Sequence, residues 1–426
     1  MPIEAIVGAN WGDEGKGKVT DYMAAQADVV IRYQGGRNAG HTVINDFGKF
    51  ALHLLPSGVF YRHIENVLGP GAAIDLAALF EELDLLENAG VPTPRVSISD
   101  RAQVVLPHHS LLDVLEEERL GGQSFGSTRA GIAPFYADKY LKIGVQIADL
   151  FDTDRLRGRV ESALVAKNVL LEHLYDHPKL VVDEVLDGLL QHRERLEPMV
   201  QDVSARVHDW LQAGQRVLLE GQLGALRDPD HGIYPFSTSS SPLAGFACVG
   251  AGVPPTAFER IVAVAKCYST CVGAGPFVTE LSGSEAEELR ERGGDAGEYG
   301  ATTGRPRRVG YFDAVATRYG CRIQGATEVV LTGLDVLGYL DEIPLCTAYS
   351  IEGAQVREFP TTARLDGATG VFESLEGWKT DVSPIREFGE LPRQAQRYVE
   401  VIERLIETPV GWVSVGPERD AMIRRT

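Results

Sequence analysis

The residues with the most chemical potential lie within 8–18. There Gly8-Ala9-Asn10-Trp11-Gly12-Asp13-Glu14-Gly15-Lys16-Gly17-Lys18 follows an apolar run, Ile3 to Val7, and precedes Val19 to Ala25. The run reads as a buried strand and the segment after the glycines as a helix. A strand, a glycine-rich turn and a helix start together hold phosphate. Glycines let backbone N–H groups reach an oxyanion, and the helix end adds partial positive charge. Lys16 and Lys18 supply point charges. Gly12-x4-Gly17-Lys18 fits the spacing of a phosphate loop, but Val19 stands where a Ser or Thr would hold magnesium. Asp13 is the candidate for that metal, and a carboxylate beside a nucleotide can also take a proton. The competing reading is a glycine-rich turn with surface charges. Two lysines and an acid among the glycines weigh against it.

Further polar segments follow other apolar runs. Gln34-Gly35-Gly36-Arg37-Asn38-Ala39-Gly40-His41-Thr42 again brings backbone close to a ligand. Asn38 can read an amide or phosphate edge, and His41 can donate or accept a proton near neutral pH. A lone histidine is more often a structural hydrogen-bonder, but this one sits in a glycine loop after a strand. His53, His108, His109 and His231 are weaker candidates. Gly126 to Pro134 offers Ser127, Thr128 and Arg129 for a phosphate monoester, although a polar surface turn explains that stretch equally well. Glu220-Gly221-Gln222-Leu223-Gly224 and the small polar residues 237–241, Thr238 among them, suit a substrate pocket. Gly300-Ala301-Thr302-Thr303-Gly304-Arg305-Pro306-Arg307-Arg308 places hydroxyls beside guanidiniums, a set that binds a dicarboxylate; the alternative is a solvated charge run. In Thr332-Gly333-Leu334-Asp335, the acid can accept from guanine N1–H and its 2-amino group, or merely cap a turn.

These loops need a scaffold. The chain has 426 residues with 44% hydrophobic residues, an ordinary globular composition. No linker divides it, so the expectation is one large α/β domain over 1–426 with insertions. Val29 to Tyr33, Val217 to Glu220, Ile261 to Ala265, Val329 to Thr332 and Ile343 to Thr347 read as buried parallel strands. Ala73 to Ala89, Val182 to Ala213 and Pro392 to Ile406 read as helices. The alternation implies a mainly parallel sheet covered by helices, a phosphate-loop-like variant with ligands at the carboxyl ends of strands. A net charge of −19 argues against a nucleic-acid surface but not against a nucleotide. Five cysteines in apolar settings and no signal peptide point to reduced thiols in the cytoplasm, and no apolar run approaches the ~20 residues that span a bilayer.

With these segments in place, the chain resembles the adenylosuccinate synthetase family along essentially its whole length. The resemblance rests on Trp11 to Lys18, Asn38 to Thr42, Val272 to Phe277, Gly300 to Arg305 and Ser414 to Pro417. It implies a ligase that joins L-aspartate to inosine monophosphate (IMP), driven by GTP, with Mg2+ and a homodimer. It further implies that Asp13 deprotonates purine N1 and binds the metal together with the Gly40 carbonyl. His41 then stabilises the transferring phosphoryl group. Gly12, Gly15, Lys16, Gly17 and Thr42 hold GTP phosphates, while Asp335, Ser414 and Gly416 face guanine. Asn38, Thr128 and Thr238 hold the purine nucleotide, and Thr302, Thr303, Arg305 and Arg307 clamp aspartate.

Four positions depart from the family pattern. Gly333 replaces a lysine that packs on the guanine base. Leu223 stands where a glutamine contacts the purine, with Gln222 shifted by one. Gln146 replaces an arginine supplied across the dimer, and Arg129 precedes Ala130, where the family carries arginine. Two alternatives follow from these changes: the same chemistry on a different purine nucleotide, or a GTP-binding switch without ligase activity. Retention of Asp13, His41 and the 302–307 clamp argues against the switch.

Overall fold

The computed structural model describes residues 3–294, 297–300 and 304–425. Its centre is a ten-stranded sheet. In chain order the strands are β1 (Ile3–Gly8), β2 (Val29–Arg32), β3 (Glu65–Leu68), β4 (Arg95–Ser99), β5 (Val200–Gln201), β6 (Val217–Glu220), β7 (Phe258–Lys266), β8 (Glu328–Thr332), β9 (Val410–Ser414) and β10 (Met422–Arg424). Their spatial order is β10-β9-β8-β7-β1-β6-β2-β3-β4-β5. Every pairing is parallel except β9 with β10 at one edge. A parallel sheet must be covered on both faces, and the strands divide accordingly. Ile3, Ala5 and Val7 of β1 join the larger core, with Trp210 and Tyr398 from flanking helices. Ile6 faces the other way, onto Val19, Val262 and Val330.

The helices that matter for the site are α1 (Lys16–Ala24), α2 (Leu76–Asn88), α3 (Pro107–Leu120), α4 (Ile132–Leu141) and α5 (Thr153–His173). Helix α1 starts at Lys16, not Val19. Gly15 is its N-cap at φ 89°, a left-handed conformation that glycine adopts without cost. Asp75 caps α2 by accepting from the Ala78 N–H at 3.2 Å, so the helix begins three residues after the expected Ala73.

Two expected elements are corrected. The helix over 182–213 is broken into helices Val182–Leu190, Arg193–Leu196 and Val203–Gln212, with strand β5 between the last two. Pro198 interrupts the periodicity, and Asp202 caps the final helix by accepting from Ala205 N–H. The apolar run 343–347 lies in Glu342–Ile351, which leaves the main sheet; it pairs parallel with Phe312–Asp313, as expected of its direction, but antiparallel with Thr369–Glu376 on its other side. An apolar run reports burial, not which sheet the strand joins.

Candidate active site

Because the strands run parallel, their carboxyl ends line one edge of the sheet. The segments after β1, β2, β6, β7, β8 and β9 emerge there together. Register places Gly8 beside Val264, Ile6 beside Glu220, and Glu220 beside Arg32. A cavity of about 640 Å³ opens above this edge. Asp13, Asn38, Gly40, His41, Thr128, Thr238, Arg305 and Arg307 all line it, with Leu223 and Gly12. Residues separated by up to most of the chain thus converge on one volume, the size of a ligand pocket.

The glycine loop is held by Glu14. Its Oε1 accepts from the N–H groups of Asn10 (3.0 Å) and Gly12 (2.8 Å), and Lys16 Nζ donates to Oε2 at 2.7 Å. Lys16 also donates to the Gly12 carbonyl at 2.8 Å. A carboxylate here uses donors of the kind a phosphate needs, so the loop has anion-binding geometry. Glu14 has no assigned role from sequence; its signal is an acid inside a loop built for anions.

His41 opens a two-stranded hairpin, His41–Asn45 with Gly48–Leu52. It is buried against Glu220, whose Oε1 accepts from Nδ1–H at 2.5 Å. Glu220 also accepts from Ser57 N–H (2.8 Å) and Ser57 Oγ (2.7 Å), and Arg32 stands 3.6 Å away. An ionised carboxylate can only accept, so the proton of neutral His41 sits on Nδ1 and the Nε2 lone pair is left over. Nε2 is buried without a hydrogen-bond partner among the described residues. Burial first, then the Arg32 charge, push the His41 pKa down to about 4 against the pull of Glu220. Asp13 Oδ2 is the second orphan, buried and without a donor among the described residues. Arg307 Nε lies 3.6 Å from it.

A different cluster sits beyond the end of β9. Lys18 Nζ, on α1, donates to Ser414 Oγ at 2.6 Å, the Gly416 carbonyl at 2.5 Å and the Ala421 carbonyl at 3.2 Å. Burial lowers the Lys18 pKa to about 8, with Asp335 opposing. Burial in turn raises the Asp335 carboxyl, with Lys18 opposing. The phosphate-loop helix is therefore fastened to the 414–421 segment, with the charge of Asp335 nearby.

Some expected site residues lie elsewhere. Gln222 does not reach the cavity: its Nε2 donates to the Gly36 carbonyl at 3.1 Å. Leu223 takes the cavity side instead, at φ 58°. Gln146 also lies off the cavity, donating to the Arg101 carbonyl at 3.4 Å before a short turn at Ile147–Phe151. Thr42 is half-buried in the hairpin. Thr302 and Thr303 fall outside the described residues. The buried trio His108, His109 and Asp138 is the only group of three or more metal-capable side chains among the described residues. His109 Nδ1 accepts from Leu106 N–H at 2.9 Å, which leaves the proton on Nε2, turned to Asp138 at 3.1 Å. That tautomer cannot offer Nε2 to a cation.

A parallel sheet that brings a glycine-rich anion loop, a half-buried carboxylate, a buried imidazole and two guanidiniums to one cavity defines a nucleotide-dependent enzyme. The chain belongs to the adenylosuccinate synthetase family, whose model matches residues 5–423. The adenylosuccinate synthetase of Acidothermus cellulolyticus is 47% identical over 426 residues, 100% of this chain and 99% of that protein. That of Brevibacillus brevis is 45% identical, covering 99% of this chain and 98% of the relative. Among solved structures, the fully ligated adenylosuccinate synthetase of Plasmodium falciparum superposes with a TM-score of 0.93 at 34% identity, covering 100% of both chains. The succinoaminodeoxyadenylate synthetase of cyanophage S-2L, bound to dGMP and dATP, shares the fold with a TM-score of 0.61 at 21% identity over 99% of this chain and 95% of that one. No described helix is long and apolar enough to cross a membrane.

Proposed function

We propose that the chain joins L-aspartate to C6 of IMP at the expense of GTP, through a 6-phosphoryl intermediate. The observation that carries the reading is the pair of orphan atoms, Asp13 Oδ2 and His41 Nε2, on the wall of one cavity. Asp13 takes the proton from purine N1, which makes oxygen 6 nucleophilic toward the γ-phosphate. Charge on the arriving phosphoryl draws a proton from solvent to His41 Nε2, which then hydrogen-bonds to it, while Glu220 holds the other side of the ring. The 6-oxygen, a poor leaving group as such, departs as phosphate when the aspartate amine attacks C6. Phosphoryl transfer of this kind depends on positioning and charge neutralisation more than on covalent help.

Asn38, Thr128 and Thr238 hold the purine nucleotide, and Arg305 and Arg307, with Thr302 and Thr303, hold the aspartate carboxylates. Lys16, Gly12, Gly15, Gly17 and Thr42 take the GTP phosphates, and Asp335, Ser414 and Gly416 read guanine. The residues at this point of the cavity suit Mg2+: the Asp13 carboxylate has a second oxygen besides Oδ2, and Gly40, whose carbonyl would complete the protein's share, lines the same cavity, leaving other positions to phosphate oxygens. When bound, the metal neutralises charge between the phosphates.

The full-length relatives at 45–47% identity are all named adenylosuccinate synthetase, which favours IMP over a modified purine. The family match over 5–423 and a sheet that draws strands from both ends of the chain support a single functional unit. A homodimer is supported by α4 and α5, joined by Lys167 and Asp138, which expose Tyr140, Leu141, Val165 and Val169. Gln146 would then act across that interface rather than in its own cavity. All five cysteines are free, consistent with a reducing cytoplasm. The test is Asp13→Ala assayed for adenylosuccinate formation from IMP, aspartate and GTP. Product formation should fall by about 10²–10⁴-fold; near-normal rates would remove Asp13 as the base.

A further inference from the structure

Lys266, Glu298, Arg307 and Asp13 form a run of alternating charge that starts in the interior and ends at the cavity. Lys266 closes β7, and its Nζ donates to Glu298 Oε1 at 2.5 Å. The Tyr268 hydroxyl donates to the same oxygen. Glu298 Oε2 accepts from Arg307 Nη1 at 2.5 Å, and Arg307 Nε stands 3.6 Å from Asp13 Oδ2. The Glu298 side chain is fully buried. The backbone closes the same unit, with Arg307 N–H donating to the Glu298 carbonyl at 2.9 Å.

Neither Lys266 nor Glu298 lines the cavity, and the reaction uses neither directly. A buried lysine–glutamate pair is poor scaffolding, because desolvation offsets most of its attraction. Its effect on Arg307 is specific. A guanidinium beside a carboxylate tends to collapse into a two-pronged pair. Here Nη1 is drawn to Glu298 instead, so Nε rests beyond hydrogen-bond distance of Asp13. Asp13 Oδ2 is thereby left without a donor among the described residues, as a proton acceptor must be.

We infer that Glu298, anchored by Lys266 and Tyr268, is a positioning residue for the dicarboxylate substrate: it holds Arg307 where the guanidinium serves the aspartate carboxylate without capturing Asp13. This rests on the reaction proposed above. The test compares Glu298→Gln with the double variant Glu298→Gln/Lys266→Met, which also removes the lysine left unpaired. Both should raise the aspartate KM about tenfold or more, with the KM values for IMP and GTP within about twofold of wild type. A wild-type aspartate KM in the double variant would reduce Glu298 to a counter-ion for Lys266 and overturn the inference. An equal rise in all three KM values would overturn it too, as general loosening. Should the wild-type protein not ligate aspartate to IMP, the reaction reading fails by itself. Calorimetric titration with aspartate then decides: weaker binding to Glu298→Gln than to wild type supports the positioning role, and no binding to wild type ends it.

Discussion

His41 Nδ1 donates to Glu220 Oε1 at 2.5 Å although 179 residues separate the two in the chain. The contact exists because β2 and β6 are neighbours, which sets Glu220 beside Arg32 and lets the hairpin after β2 fold back over both. Glu220 thus selects the tautomer of His41 and aims Nε2. Glu220→Gln removes the negative charge that supports the His41 ring when Nε2 takes up a proton. We expect kcat to fall about 10²–10⁴-fold, with nucleotide KM values changed only a few-fold. Loss of the counter-charge for Arg32 should also lower stability by about 3–5 kcal/mol. Steady-state kinetics on the folded variant checks the first claim, and urea unfolding the second. A kcat near wild type would show that the Glu220 charge does not support the protonated His41 ring.

Asp335 tests the base site. Its carboxyl is raised by burial and opposed by Lys18, which itself holds Ser414 and the Gly416 carbonyl. On the proposed reading, Asp335→Asn turns one acceptor for the guanine N1–H and 2-amino group into a donor. The GTP KM should rise about 10–100-fold, while any rate with ATP, whose base lacks that donor pair, changes little. Initial rates with the two nucleotides measure this, and an unchanged GTP KM would leave Asp335 as a turn cap.

Much of this was legible from residue types. The strand–glycine–helix unit of 3–24 announces itself, and β6 lies where its apolar run ends, because buried strands and glycine turns have local signatures. Helix boundaries at 182–213 were missed although Pro198 and Asp202 both signal a break; apolar periodicity outweighed them. The partners of the cavity-lining groups were not legible. Glu220 and Glu298 reach His41 and Arg307 only through sheet order and loop closure, and no spacing encodes either. Leu223 displacing Gln222 from the cavity depends on a left-handed backbone at 223, which leucine rarely signals.

His109 gives a prediction in pH. Burial first, and then the charges of His108 and Lys167, lower its pKa from 6.5 to about 4, against the pull of Asp138. The folded-state value lies below the unfolded one. Between pH 6.5 and 4 the unfolded chain therefore binds a proton that the folded protein refuses, and stability falls on acidification across that window. Above it, His109 contributes no slope. The contribution approaches about 1.4 kcal/mol per pH unit mid-window. Urea unfolding of wild type and His109→Gln at several pH values should show a shallower slope in the variant. Parallel slopes would mean that His109 titrates normally.

Gly17 sets two principles against each other. It lies in α1, where alanine for glycine ordinarily gains about 1 kcal/mol. A Cβ at this position, however, would lie 2.7 Å from His41 Cβ and 3.1 Å from His41 Cα. His41 cannot retreat freely, because its ring is tied to Glu220 at 2.5 Å and its backbone opens the hairpin. Helix propensity and the clash then roughly offset each other in stability, whereas nothing offsets the displacement of Nε2. A shift of about 1 Å at a reacting group can cost about 100-fold in rate. Gly17→Ala should therefore melt within a few degrees of wild type and lose at least about tenfold in kcat. A variant that is more stable and fully active would show that α1 and His41 are free to separate, and that the phosphate loop does not position the imidazole.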